Sequence, residues 1–425
     1  MTTFAGLWRE LEPLGRDGAT GGYRRFSWTD ADARCRAWFA GRAADRGLRV
    51  EADGNGNLWA WWGPRGPGAV ATGSHLDSVP NGGAYDGALG VAAALAAVDL
   101  LREKNFHPER PVVLAVFTEE EGARWGVPCL GSRLLTGAIA PEAARGLRDD
   151  DGVTLAEAMA AAGCDPALIG PADDLLGSIA AFVELHVEQG RALAPLGAAV
   201  GVAAGIWPHG RWRLSLHGRA DHAGTAGIAD RCDPMLPLAR TVLAAREAAE
   251  RNGALATVGK VTVQPGGANA VPETVTAWLD ARAADEPALA ETVAAVRSVA
   301  AKASAEHGVA LGVRRESYTP PVRFDERLRE RIAGVLAAAG LGPAPALPTG
   351  AGHDAGVLAA RLPAAMLFVR NPAGVSHSPA ERAELADCEA GVRALAAVLE
   401  DLAGLCAGGT PNWPGCPARA CAATC

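Results

Sequence analysis

The sequence predicts a two-domain α/β protein: a largely parallel sheet covered by helices, interrupted by a smaller inserted α+β sandwich. Three observations carry this. Strand-length apolar runs alternate with helix-length segments up to about residue 205, the pattern of a parallel sheet with both faces covered. Near residue 209 the pattern changes to apolar–polar alternation, as in a sheet with one face in water. The length of 425 residues exceeds what one ordinary core organises.

In order, WTDADARCRAWFAGRAADRGL reads as a helix, with Thr29 or Asp30 able to cap it. LWAWWG and AVATGSHL read as strands. ALGVAAALAAVDLLREKN is rich in Ala and Leu and apolar around most of its circumference, hence a buried helix. RPVVLAVFT and SIAAFVELH are apolar runs of strand length. From RWRLSLHG onward come a helix (PMLPLARTVLAAREAAERNG), the strands TVGKVTVQP and TVTAWLDARA, a helix (ALAETVAAVRSVAAKASAEHG) and the strand ALGVRRESY. The order β-α-β-β-α-β is that of a ferredoxin-like sandwich. The expected boundaries are therefore 209–320 for the insertion and 1–208 with 321–404 for the discontinuous main domain. The main domain resumes with the helix DERLRERIAGVLAAAG, the strand AAMLFVRN and a closing helix near 386–404.

Composition narrows the function. Hydrophobic content of 49% and charged content of 21% fit a packed globular chain. A net charge of −8 argues against nucleic acid or an anionic membrane as a partner. The N-terminal stretch lacks a basic segment followed by an apolar one, and no apolar run has spanning length. The expected location is the cytoplasm. Of nine cysteines, Cys406, Cys416, Cys421 and Cys425 crowd a Gly/Pro-rich tail, 405–425, which reads as disorder because no pair has the short C-x₂-C spacing of a zinc site.

Acids and histidines follow the apolar runs. His75 and Asp77 lie in GSHLDSV, and Asp86 lies in AYDGALG. Glu119, Glu120 and Glu121 follow VVLAVFT, His186 follows AAFVEL, and His377 lies in GVSHSP. In open α/β sheets ligands bind outside the carboxyl ends of strands, which groups residues so distant in sequence. His, Asp and Glu without a thiol suit a hydrolytic two-metal site. Asp86 opens the buried helix, where N–H groups would hold its charge and its two oxygens could reach both ions. Singly, each His reads more readily as a satisfied polar residue than as a ligand, and the Glu run as a solvated face. The grouping at four strand ends and one helix start is what favours metal.

The motifs GSHLDSVPNGGAYDGALGV, FTEEEGARW, ELHVEQG, HAGT, GAGHDA and GVSHSPAE span about residues 20–404. In their order, and in the separations His75–Asp86 (86 − 75 = 11) and Asp86–Glu121 (121 − 86 = 35), the chain resembles the dinuclear metallopeptidase-like amidases. These include N-carbamoyl-L-amino-acid hydrolases, β-ureidopropionases and allantoate amidohydrolases. The resemblance implies a catalytic domain with an inserted lid and dimerisation domain. It implies one divalent ion (Zn, Mn or Co) on His75, Asp86 and His186, and a second on Asp86, Glu121 and His377. By the same resemblance Asp77 orients His75, and Glu120 is the general base toward water held between the ions. Glu119 reads as structural or as an acid of the outer coordination sphere. A homodimer through the insertion and a small-molecule substrate follow from it as well.

For the substrate, the insertion carries His222 in DHAGT, Asn269 in GGANAVP and Arg282 in WLDAR. Arg282 offers a planar fork suited to a carboxylate, and an ion pair with Asp280 or Glu273 is the competing reading. The resemblance implies that Asn269 and Arg282 hold the substrate carboxylate and that His222 stabilises the oxyanion, often across a dimer interface. It also implies that Gln189 lies near the carbamoyl group and that Gly352 and His353 line the pocket. The chain departs from the family at Gly227 and Ile228 after HAGT, at Ala268 and Glu273, and at Arg370, which is expected to add a second cation for substrate. The reaction implied is hydrolysis of a ureido or N-carbamoyl C–N bond on a small α-carboxylate. The rivals are an N-formyl or N-acyl amino-acid hydrolase, a dipeptidase, or a non-catalytic metal-binding relative.

Overall fold

The computed structural model describes residues 3–404; the expected tail lies outside the described residues. The chain divides into two compact units. One is built from residues up to Ala204 and from Arg323 onward, the other from Gly205–Val322. The second unit thus starts four residues before, and ends two residues after, the span marked by the alternation.

The first unit carries β1 (Arg49–Ala52), β2 (Leu58–Trp62), β3 (Ala69–His75), β4 (Val112–Phe117), β5 (Ile179–Val187) and the start of β6 (Val200–Ile206). The second carries β7 (His209–His217), β8 (Asp221–His222), β9 (Leu255–Gln264), β10 (Ala270–Val271), β11 (Thr274–Arg282) and β12 (Ala310–Thr319). β13 (Val322–Arg323), β14 (Ala346–Thr349) and β15 (Ala364–Val369) return to the first sheet.

That sheet runs β1-β2-β4-β3-β5-β15-β6-β13, with β14 beside β6. Its centre, β4-β3-β5-β15, is parallel, while β1, β2 and β6 pair antiparallel. Antiparallel edges around a parallel centre agree with the largely parallel sheet expected from the sequence. Every residue of β3, β4, β5 and β15 is buried, which is why these strands read as unbroken apolar runs. Helix Ala88–Glu103 is buried at 13 of its 16 positions and packs on β3 and β5. Gly90 permits this: a Cβ there would stand 2.2 Å from the Leu185 carbonyl oxygen.

Thr29 sits at the N-cap of helix Asp30–Asp45, but its side chain makes no capping bond. Its hydroxyl donates to the Phe26 carbonyl instead, and Asp32 accepts from Trp28 N–H at 2.8 Å.

The second unit is a four-stranded antiparallel sheet in the order β12-β7-β11-β9, with helices Met235–Asn252 and Glu286–Glu306. Burial alternates along β7 and β11, as the sequence alternation requires. A two-residue ladder pairs His222 with Ala270 and Asp221 with Val271. No helix among the described residues is long and apolar enough to cross a membrane.

Candidate metal centre

Asp86 is the hub. Its Oδ1 lies 3.4 Å from His75 Nε2 and 3.2 Å from His186 Nε2. Its Oδ2 lies 3.4 Å from His377 Nε2, and His377 Nε2 is also 3.4 Å from Glu121 Oε2. Two groups of ligand-type atoms result, His75–Asp86–His186 and Asp86–Glu121–His377. The strands explain the convergence: His75 ends β3 and His186 is the penultimate residue of β5. Glu120 and Glu121 follow β4 at the same sheet edge. His377 projects from the loop after β15 with a left-handed backbone, φ 54°.

Asp86 precedes its helix rather than opening it; the helix starts at Ala88 behind an N-cap at Gly87. Its carboxylate is held by side chains, not by the helix N–H groups as expected. Gln189 Nε2 donates to Oδ2 at 2.7 Å and Ser376 Oγ lies at 3.4 Å. Gln189 is thereby engaged with the hub acid and Ser376. Glu381 Oε1 accepts from the Tyr85 and Asp86 N–H groups at 2.8 and 3.0 Å. It tethers the hub loop to the segment after His377. Glu381 is not among the residues the sequence motifs single out; its place four residues beyond His377 is the signal for it.

The imidazoles are oriented by carbonyls. His75 Nδ1 is 3.1 Å from the Asp77 carbonyl oxygen, with the Asp77 carboxylate farther at 3.5 Å. His186 Nδ1 is 2.8 Å from the Val187 carbonyl oxygen, and its Nε2 accepts from Gly87 N–H at 3.1 Å. With Nδ1 as the donor, each Nε2 turns its lone pair to the sheet edge, where that of His186 accepts from Gly87 N–H and that of His75 has no hydrogen-bond partner. The Asp77 carboxylate, beside His75 Nδ1, also accepts from the Glu120 and Glu121 N–H groups at 3.2 and 3.0 Å. It thus sets the turn that aims both acids. Glu119 lies at φ 54° and accepts from Arg124 and Trp125 N–H. It is a structural residue.

This donor set fits divalent ions. With its Nδ1 as donor, His75 turns an unpartnered Nε2 toward Asp86 Oδ1 across 3.4 Å, an arrangement that a cation between the two atoms would stabilise. Glu121 Oε1 is buried without a hydrogen-bond partner. Burial, then Asp86, pushes the Glu121 carboxyl up to about 8. Burial also drives Glu120 well above the usual carboxylate range, opposed by His75 and reinforced by Asp354, Glu121 and Asp77. Burial opposes charge on Asp86, yet His186, His377 and His75 hold it well below that range. On His377 burial is outweighed by Asp86 and Glu121, which raise the imidazole to about 9. Cations at the two groups would favour the ionised form of these buried acids.

Glu120 Oε2 stands 3.7 Å from His75 Nε2, and its Oε1 accepts from the Cys129 thiol at 3.3 Å. His353 is buried, with its ring centroid 4.5 Å from that of His186, and Gly352 precedes it. Arg370 is a correction: its fork is bidentate on Asp387, both bonds 2.8 Å. That pair anchors helix Leu385–Ala403, so the guanidinium is not offered to substrate as expected.

Within the second unit His222 and Asn269 are exposed neighbours, the Ala223 N–H donating to the Asn269 carbonyl at 2.9 Å. Arg282 is not with them. It pairs with His209 at the far end of β11, while Thr274 pairs with His217 at the near end. Arg282 Nε donates to Asp280 at 2.8 Å, the ion pair that competed with the substrate role.

The description of peptidase family M20/M25/M40 matches residues 71–401. The chain belongs to that family. Among its M20 relatives, the N-carbamoyl-L-amino acid amidohydrolase of Geobacillus stearothermophilus is 38% identical over 92% of this chain and 96% of its own length. The allantoate amidohydrolase of Bacillus subtilis is 33% identical over 92% and 96%. A crystal structure of a hydantoinase/carbamoylase-family amidase from Burkholderia vietnamiensis superposes with a TM-score of 0.88 at 29% identity, covering 95% of this chain and 98% of its own.

Proposed function

We propose that this M20 protein is a metal-dependent amidohydrolase that cleaves the C–N bond of a ureido or N-carbamoyl group on a small α-carboxylate. N-carbamoyl-L-amino acids and allantoate are the leading substrates, the former named for a relative at 38% identity. The observation that carries the reading is the Asp86 hub, whose two oxygens face three imidazoles. His75, Asp86 and His186 would hold one ion, and Asp86, Glu121 and His377 the other, as Zn, Mn or Co. Bound there, two cations supply an acidified water and polarise the scissile carbonyl.

The chain's own residues do the rest. Glu120, as the carboxylate, takes a proton on an oxygen and returns it to the leaving nitrogen. Asp77 orients Glu120 and Glu121 through their N–H groups. His222 serves the oxyanion, Asn269 and Arg282 the carboxylate, and Gly352 and His353 the pocket wall.

A homodimer belongs to the same reading. Eight residue steps of β11 separate the Thr274 and Arg282 ends, about 26 Å of extended strand. Arg282 and the His222–Asn269 pair therefore do not grip one small carboxylate within one copy, and a site using all three draws on two. β9 is an edge strand of its sheet and leaves Leu255 and Val261 exposed, as helix Met235–Asn252 leaves Leu236 and Leu243. An uncovered apolar edge suits pairing with a second copy. Ammonia release from N-carbamoyl amino acids and allantoate, with and without added Mn²⁺ or Zn²⁺, tests the activity. No turnover with two ions bound would favour a binding protein.

A further inference from the structure

Glu184 has no part in the chemistry above, yet it is fully buried beside the metal centre. It shares a face of β5 with His186, two residues on. A carboxylate on a buried strand is costly unless hydrogen-bonded, and Glu184 has two donors from separate elements. Ser74 Oγ donates to Oε1 at 2.8 Å, and the Ala355 N–H donates to Oε2 at 3.0 Å. Ser74 is the β3 residue before His75. Ala355 lies in the first turn of helix Asp354–Leu358, whose N-cap is His353. That helix has five residues, too few to persist without tertiary support. A second polar anchor is Ser132 Oγ, which donates to Asp354 Oδ1 at 2.5 Å. β3 and β5 are already paired through their backbones, so what Glu184 adds is the attachment of the helix.

From this we propose that Glu184 is a positioning residue: it docks the 350–355 loop, and with it His353, against the strands that carry His75 and His186. The inference rests on the proposed hydrolase reading for its kinetic consequence. Glu184, His186 and His353 also form a group able to hold an ion, and the test separates that possibility.

The metal-loaded enzyme is compared with Glu184→Ala, Glu184→Gln and, should the alanine variant not fold, Glu184→Asp, which is too short to reach both donors. The assays are kinetics on N-carbamoyl amino acids and allantoate, metal content, and amide exchange at residues 353–358. Glu184→Ala should raise KM about tenfold with kcat within about threefold, the scale of one lost buried hydrogen-bond anchor, and speed exchange at Ala355. Glu184→Gln should behave as wild type, because its amide oxygen accepts from Ala355 and its NH₂ donates to Ser74. All variants should keep two ions. Loss of an ion equivalent, unchanged exchange at Ala355, or a glutamine variant as impaired as the alanine one each overturns the proposal. If wild type turns over none of these substrates, the hydrolase reading fails, and the exchange data still decide the docking role.

Discussion

Gly87→Ala tests the geometry of the hub most severely. Gly87 sits at φ 66°, ψ −49°, a conformation that costs a residue with a Cβ about 1–3 kcal/mol. That Cβ would stand 2.4 Å from His75 Cε1 and 2.5 Å from Cδ2 and Cγ, far inside the ~3.5–4.0 Å at which carbons pack. The ring has little room to retreat. It is fully buried, and its Nδ1 is tied to the Asp77 carbonyl. Overpacking of this kind costs about 1–3 kcal/mol more, for a total of about 2–6 kcal/mol, a large part of a typical stability of ~5–15 kcal/mol. If 2 kcal/mol of that falls on the His75 group, its ion binds about 30-fold more weakly. The Asp86–Glu121–His377 group shares only Asp86 with the first and should be disturbed less. Competition against a chelating dye should therefore show one strongly and one less weakened equivalent, with a lowered Tm. Wild-type affinity at both equivalents with an unchanged Tm would refute the placement of His75 against this turn.

Three further outcomes follow from the same geometry. Glu120→Gln should lose about 10²–10⁴-fold in kcat while keeping both ions; mixed with an inactive His222→Ala variant it should regain about a quarter of wild-type activity if His222 serves the partner's site, and a mixture that stays inactive would place it in its own. Metal-free protein should lose Tm as pH rises from about 5 to 9: Glu121, raised to about 8, and His377, raised to about 9, both bind protons in the folded state that the unfolded chain releases earlier. Metal-loaded protein should show no such fall, and a metal-free Tm that rises over this window would contradict the raised values of Glu121 and His377. Arg370→Ala should leave the preference between mono- and dicarboxylate substrates unchanged but cost about 1–3 kcal/mol in denaturant unfolding, because it strands the buried Asp387; a changed preference at unchanged stability would restore the substrate role.

The parallel centre of the sheet was legible because β3, β4, β5 and β15 are buried on both faces and their sequences are apolar without alternation. The antiparallel pairing of β2 and β6 was not, since strand direction leaves no mark on hydrophobic pattern. The order β7 to β12 was readable from period-two alternation, whereas the boundary at 205 was blurred by β6, which runs across it. At the centre, residue types and strand ends point to His75, Asp86, Glu121, His186 and His377. What sequence hides is who holds whom. The carbonyl of Asp77, rather than its carboxylate, is nearer to His75; Arg370 is taken by Asp387; and Glu184 and Glu381 act through contacts 171 and 295 residues away. Such pairings depend on folding distant loops together, and no local pattern encodes them.

The most direct test of the account is reconstitution. Protein stripped with a chelator is titrated with Mn²⁺ or Zn²⁺ while ammonia release from an N-carbamoyl-L-amino acid and from allantoate is followed. We expect no turnover without metal and, on at least one of these substrates, activity that saturates at two equivalents per chain. Full activity in the stripped protein, or saturation at a stoichiometry the Asp86 hub does not provide, would contradict it.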